Sequence, residues 1–175
     1  LSAIPNGIRA TTQSLNDSST KIATTAYIDT RDKRAYLTSD FTTTSGSLTN
    51  VTGIAIAIGA NETWSFQIFG QLTCSTANGL NLAIDVPTSA TLYSQAFATG
   101  GGTTAFRTGT SNADDTSAFS SAVITTSSVT GELIYYGTVF NGANAGNIQL
   151  RIKMNTAGDT GTVLKGCVII AQRLA

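Results

Sequence analysis

The sequence predicts an all-β fold, a jelly-roll-like antiparallel β-sandwich preceded by a short N-terminal extension and helix. Three observations predict it. Apolar and polar residues alternate with period two in several stretches after Thr42, the pattern of strands with one buried face. Clusters such as STANG (75–79), DVPTSA (85–90), TGGGTT (99–104) and NGANAGN (141–147) separate those stretches and supply turn chemistry. About ten short strands at this spacing fit a sandwich or jelly roll, and 175 residues suffice for one domain to close its own core.

Taken in chain order, the first element is a helix. STKIATTAYIDTRDKRA, residues 19–35, contains no Gly or Pro, has Asp17, Ser18 and Ser19 as N-cap candidates, and places Asp29 and Lys33 four residues apart. It belongs to an extension and collar over 1–36, ahead of a head domain over 37–175. At about 15 residues such a helix is marginal in isolation, and its apolar stripe of Ile22, Ala26 and Ile28 is thin. Copies around a three-fold axis would support it, so Ile22 and Ala26 are expected at a trimer contact.

Strands are then expected at 35–41 and 48–58. In ETWSFQIFGQLTC (62–74), Trp64, Phe66, Ile68, Leu72 and Cys74 alternate with Ser65, Gln67, Gln71 and Thr73. GLNLAIDV (79–86) repeats the scheme with Leu80, Leu82, Ile84 and Val86 inward. Further strands are expected at 91–98, 104–108, 119–125 and 132–141. NIQLRIKMN (147–155) sets Ile148, Leu150, Ile152 and Met154 against Gln149, Arg151 and Lys153, and a last strand is expected within 162–174.

Two strands lack a wet face. ELIYYGTVFN (132–141) carries Ile134, Tyr136 and Phe140 on one side and Leu133, Tyr135 and Val139 on the other; VLKGCVIIAQRLA (163–175) is also apolar on both. Such strands are either central and covered on both faces or buried between subunits. The expected subunit contact is Tyr135, Val139, Ile169 and an outward-pointing Phe69. Cys74 and Cys167 lie within apolar strands and read as small buried thiols, with a bridge between strands as the alternative.

Charge narrows the function. Ten basic and ten acidic residues give a formal net charge of zero, so no long-range field draws the chain to nucleic acid or an anionic membrane. Charged residues are 11% of the chain against roughly 25% in ordinary soluble domains, their place taken by Ser, Thr, Asn and Gly. No apolar run reaches the roughly 18 residues of a membrane helix, and a signal-peptide layout is not expected at the N-terminus.

Catalysis has few candidates. There is no histidine, which removes Ser/His and Cys/His nucleophile systems and His-bearing metal sites. A glycan-cleaving enzyme needs two facing carboxylates; among the head's acids only Asp114 and Asp115 adjoin, in what reads as a solvated turn. GGGTTAFRTG lacks the GK[ST] ending of a phosphate loop and reads as a turn. Arg31, Lys33 and Arg34, beside Asp29 and Asp32, read as a solvated helix face. Neither an enzyme activity, a cofactor nor a metal is expected.

IRATTQSLNDSSTKIATTAYIDT, residues 8–30, resembles a Thr-rich segment of bacteriophage tail-fibre proteins that precedes fibre tips or links repeats. More loosely, the β region is similar to trimeric C-terminal fibre heads of the tumour-necrosis-factor-like jelly-roll kind. The resemblance implies a virion protein assembled in the bacterial cytoplasm, a homotrimer joined to other virion proteins through its N-terminal segment, whose head contacts a host surface polysaccharide or protein. If the collar enters at one end and strands run up and down, the loops at 42–46, 75–78, 99–103, 126–130 and 156–161 share the other end. Thr43, Ser45, Asn78, Thr103, Ser127 and Asp159 are the expected receptor contacts, their hydroxyl and amide groups suited to sugars. A capsid decoration or head-fibre protein without receptor role is the alternative; a polysaccharide depolymerase is disfavoured by the missing His and clustered carboxylates.

Overall fold

The alternation in residues 63–74 builds the middle of the larger sheet, with Trp64, Phe66, Ile68, Leu72 and Cys74 all buried on one side of it. The protein is described by a computed structural model over residues 31–100, 103–111 and 130–175. In chain order its strands are β1 (Asp32–Tyr36), β2 (Phe41–Thr43), β3 (Thr49–Ile58), β4 (Thr63–Cys74), β5 (Leu80–Asp85), β6 (Thr91–Gly100), β7 (Thr103–Ser111), β8 (Gly131–Phe140), β9 (Gly146–Met154), β10 (Gly161–Val163) and β11 (Val168–Arg173).

Among the described residues all pairings are antiparallel and fall into two sheets. The larger runs β1-β11-β4-β8-β6-β7, with β10 placed between β2 and β4; the smaller is β3-β9-β5. Their inner faces share one core: Ile54, Leu82, Ile148 and Leu150 from the smaller sheet pack in the same cluster as Trp64, Phe66, Leu133 and Tyr135 from the larger. The molecule is therefore an all-β antiparallel sandwich, held chiefly by apolar burial.

Two irregularities have local causes. β3 slips its register against β9 between Asn50 and Ala55, and Gly53 within the slip takes φ +99, a conformation that only glycine adopts without strain. The apolar run after Gly161 makes two strands along β4 in place of one, pairing Val163 with Leu72 and Val168 with Phe69. The extra residues turn through Gly166 and fold Cys167 over Gly70, where a Cβ would lie 2.6 Å from the Cys167 Sγ. Cys74 and Cys167 are both buried free thiols.

The structure corrects two expectations. Residues 32–35, expected at the end of the helix, lie in β1 and pair with β11, so the sheet begins inside the expected collar. Alternation explains it: Lys33 points in, its ammonium 5.0 Å from the Trp64 ring centroid and its Nζ donating to the Ala57 carbonyl at 2.6 Å, while Asp32 and Arg34 stay exposed. Tyr135, Val139 and Ile169, expected between subunits, are each 0% exposed within the chain's own core. Facing Ile68 in the register, Tyr135 and Ile169 share its inward side, and Val139 lies on the same side of β8. Their neighbours Ile134, Tyr136, Phe140 and Ile170 carry the outer face. Ile22, Ala26, the 119–125 strand, Asp114, Asp115 and the 8–30 motif lie outside the described residues.

Candidate functional site

The registers gather the expected loops at one end of the sandwich. β4 ends at Cys74 opposite Gly161 of β10, which also faces Thr43 at the end of β2. β9 ends at Met154 opposite Leu80, the start of β5. β8 begins at Gly131 opposite Leu72, near the far end of β4, and Ala98 of β6 pairs with Leu133, with Gly100 opposite Thr103 of β7 just beyond. The loops at 42–46, 75–78 and 156–161 thus share an end with Gly100 and Thr103, which close the pairing of β6 with β7, and β8 leads away from that same end; residues 101–102 and Ser127 are outside the described residues.

Hydrogen bonds tie three of these loops into one surface. The Thr76 hydroxyl donates to Asp159 Oδ2 at 2.7 Å and the Asn78 amide donates to the same oxygen at 3.0 Å. Ser75 N–H donates to the Thr160 carbonyl at 2.8 Å, and Thr160 N–H returns a 2.8 Å bond to Ser75 Oγ. Gly158 N–H donates to the Thr44 carbonyl at 3.0 Å, and Met154 N–H to that of Ser45 at 2.7 Å. The Thr76 hydroxyl first, then the Asn78 amide, hold the Asp159 carboxyl below its ordinary range, so it is an anionic acceptor at neutral pH. Asn78 and Ser45 keep surface exposure, whereas Thr43 is buried at 9% exposure and accepts a bond from Ser45 N–H at 3.2 Å. Thr43 therefore shapes its loop rather than facing outward.

Sequence reasoning placed Asn78 and Asp159 in separate loops and missed Thr76 as the residue joining them. Partners 83 positions apart leave no local signal. What the arrangement offers chemically is a shallow field of hydroxyls, amides and one carboxylate, able to accept and donate hydrogen bonds to polyols.

The opposite end is built differently. Glu62 accepts bonds from Gly59 N–H at 2.6 Å and from the buried Trp64 indole at 2.8 Å through Oε2, and pairs with Arg173 at 2.9 Å through Oε1. Thr63 N–H donates to the Ala175 carbonyl at 2.9 Å, and Asp32 of β1 pairs with Gln172. β1 therefore starts, and β11 finishes, at the end away from the loops. A buried Trp needs an acceptor for its N–H, which is the signal that would have singled out Glu62.

No family model and no curated protein matches the chain. Among solved structures it is similar to a structure of infectious bursal disease virus Gx strain, with TM-score 0.23 and 12% identity over 83% of this chain and 37% of that one. A structure of the Gt strain gives TM-score 0.21 and 14% identity over 95% and 43%. The chain spans less than half the length of either, and a likeness of this degree assigns neither fold family nor activity.

Proposed function

We propose that the chain is a non-enzymatic, homotrimeric head of a bacteriophage virion fibre whose loop end contacts a host surface receptor, a glycan in the first instance. The observation that carries this reading is the polarity of the sandwich: the hydroxyl- and amide-bearing loops gather at one end, while β1 starts and β11 finishes at the other. A head fed from its base presents such loops outward. The resemblance of residues 8–30 to tail-fibre segments supports a virion location, with the N-terminal segment joined to other virion proteins. Three copies turn weak polar sites into useful avidity.

The test is binding of the fluorescent protein to bacteria on which the parent phage plates, with competition for infection. Saturable binding that protects the cells, and that falls at least tenfold in an Asn78→Ala, Asp159→Ala double variant of unchanged melting temperature, supports the reading. Absence of binding to permissive cells would overturn it and leave a decoration protein without receptor role.

A further inference from the structure

The outer face of the larger sheet exposes large apolar side chains where a sandwich face is usually polar. Of the seven exposed large apolar residues among those described, six (Tyr36, Phe69, Tyr93, Tyr136, Phe140 and Ile170) lie on this one face, and only Leu174 lies elsewhere. The registers align them in rows across the strands. Tyr36 of β1 pairs with Val168 of β11, Val168 with Phe69 of β4, Phe69 with Ile134 of β8, and Ile134 with Phe97 of β6, an apolar row across five strands. At the far end of β8, Phe140 meets Tyr93 edge to face with ring centroids 5.9 Å apart. Between these runs Gln67, Tyr136 and Gln95 in register, with the Tyr136 hydroxyl donating to Gln95.

We propose that this face is where a second copy of the same chain docks. The occupant follows from charge and area. The interior of the face, from Gln67 and Phe69 across Ile134, Tyr136 and Thr138 to Tyr93 and Gln95, holds no Lys, Arg, Asp or Glu, and Glu132 borders it at the start of β8. Two copies can therefore meet through this interior without opposing like charges, the charged Asp32, Arg34 and Glu132 lying at its edges. At the margin, Asp32 and Arg34 stand two residues apart on β1, so a turned copy can set opposite charges together. Five strands about 4.8 Å apart, over six residues of about 3.3 Å each, make roughly 500 Å² per copy, and two copies reach the ~1,000 Å² that separates a specific interface from a chance contact. A hollow of about 340 Å³ lined by Phe69, Ile134 and Val168, with Gln71 and Glu132 on its rim, interrupts the apolar row, and can receive a side chain of the second copy.

The inference deepens the assembly part of the proposed function and rests on it, but not on host binding. The experiment is light scattering on a sizing column with the full chain. A mass that is a multiple of 18.0 kDa is expected, three being the multiple that the proposed head requires. Gln67→Lys replaces a side chain already polar and exposed at the centre of the face, so the fold is untouched while like charges meet across the contact; it should give the mass of one chain with an unchanged circular dichroism spectrum. Phe69→Glu should do the same. Asn50→Lys, on the exposed side of the smaller sheet, should keep the multiple. A single-chain mass for the unaltered protein, or a multiple that survives both Gln67→Lys and Phe69→Glu, overturns the assignment. A multiple with no host binding leaves the interface standing and removes only the receptor role.

Discussion

Glu62 shows how one carboxylate can organise an end of the molecule. Burial alone would push its carboxyl up, yet the Gly59 N–H, the Trp64 indole, Arg173 and Lys33 together hold it below the ordinary range. A carboxyl whose folded value lies below its unfolded value stabilises the fold above the unfolded value, about 4.3 for Glu, and loses that contribution as pH falls through the folded value. Melting temperature measured from pH 7 to pH 3 should therefore fall more steeply for the native protein than for Glu62→Gln. Glu62→Ala is harsher, because it leaves the Trp64 N–H buried without an acceptor; about 1–3 kcal/mol should be lost in urea titration. Cys167 offers a second check. Burial pushes its thiol up to about 12, so iodoacetamide at pH 8 should label it only after denaturation, since the thiolate is the nucleophile.

Among elements, β8 is the most constrained. It lies between β4 and β6, and at Gly137 an added Cβ would sit 2.5 Å from the Tyr93 carbonyl oxygen and 3.0 Å from the Phe66 ring. Gly137→Ala should thus cost about 1–3 kcal/mol, as overpacking does, read as a lower denaturation midpoint with an unchanged slope. β1 makes the contrasting prediction. Cutting the chain before Asp32 keeps the sheet, whereas cutting after Tyr36 strips the edge from β11 and removes Lys33 from above Trp64. The shorter product should melt lower and aggregate more readily. β1 was illegible because a short polar run with good caps satisfies helix rules locally, and only its partner 140 residues away makes it a strand. β4, β5 and β9 were legible because one side of each is polar. β8 and β11 identified themselves as strands but not their inward side, since two apolar faces leave the parity open until Ile68 sets it.

At the scale of the whole molecule, the sandwich and the shared end of its loops follow from strand spacing and alternation, while the unequal division into a larger and a smaller sheet depends on pairings that no local pattern encodes. The core is apolar and the formal net charge is zero. Melting temperature should therefore change by no more than a few degrees between low salt and roughly 1 M salt, where surface charge is screened within about 3 Å; a large shift would point to ionic contacts holding the fold. The placement of β1 also has a mechanical side. Its five residues, Asp32 to Tyr36, run from the base toward the loop end beside β11. A pull on the loops against the base loads that seam lengthwise, so its hydrogen bonds share the force in shear instead of parting one by one like a zip. Held through β1, the chain thus resists tension along its strands and peels only when the pull comes from the side.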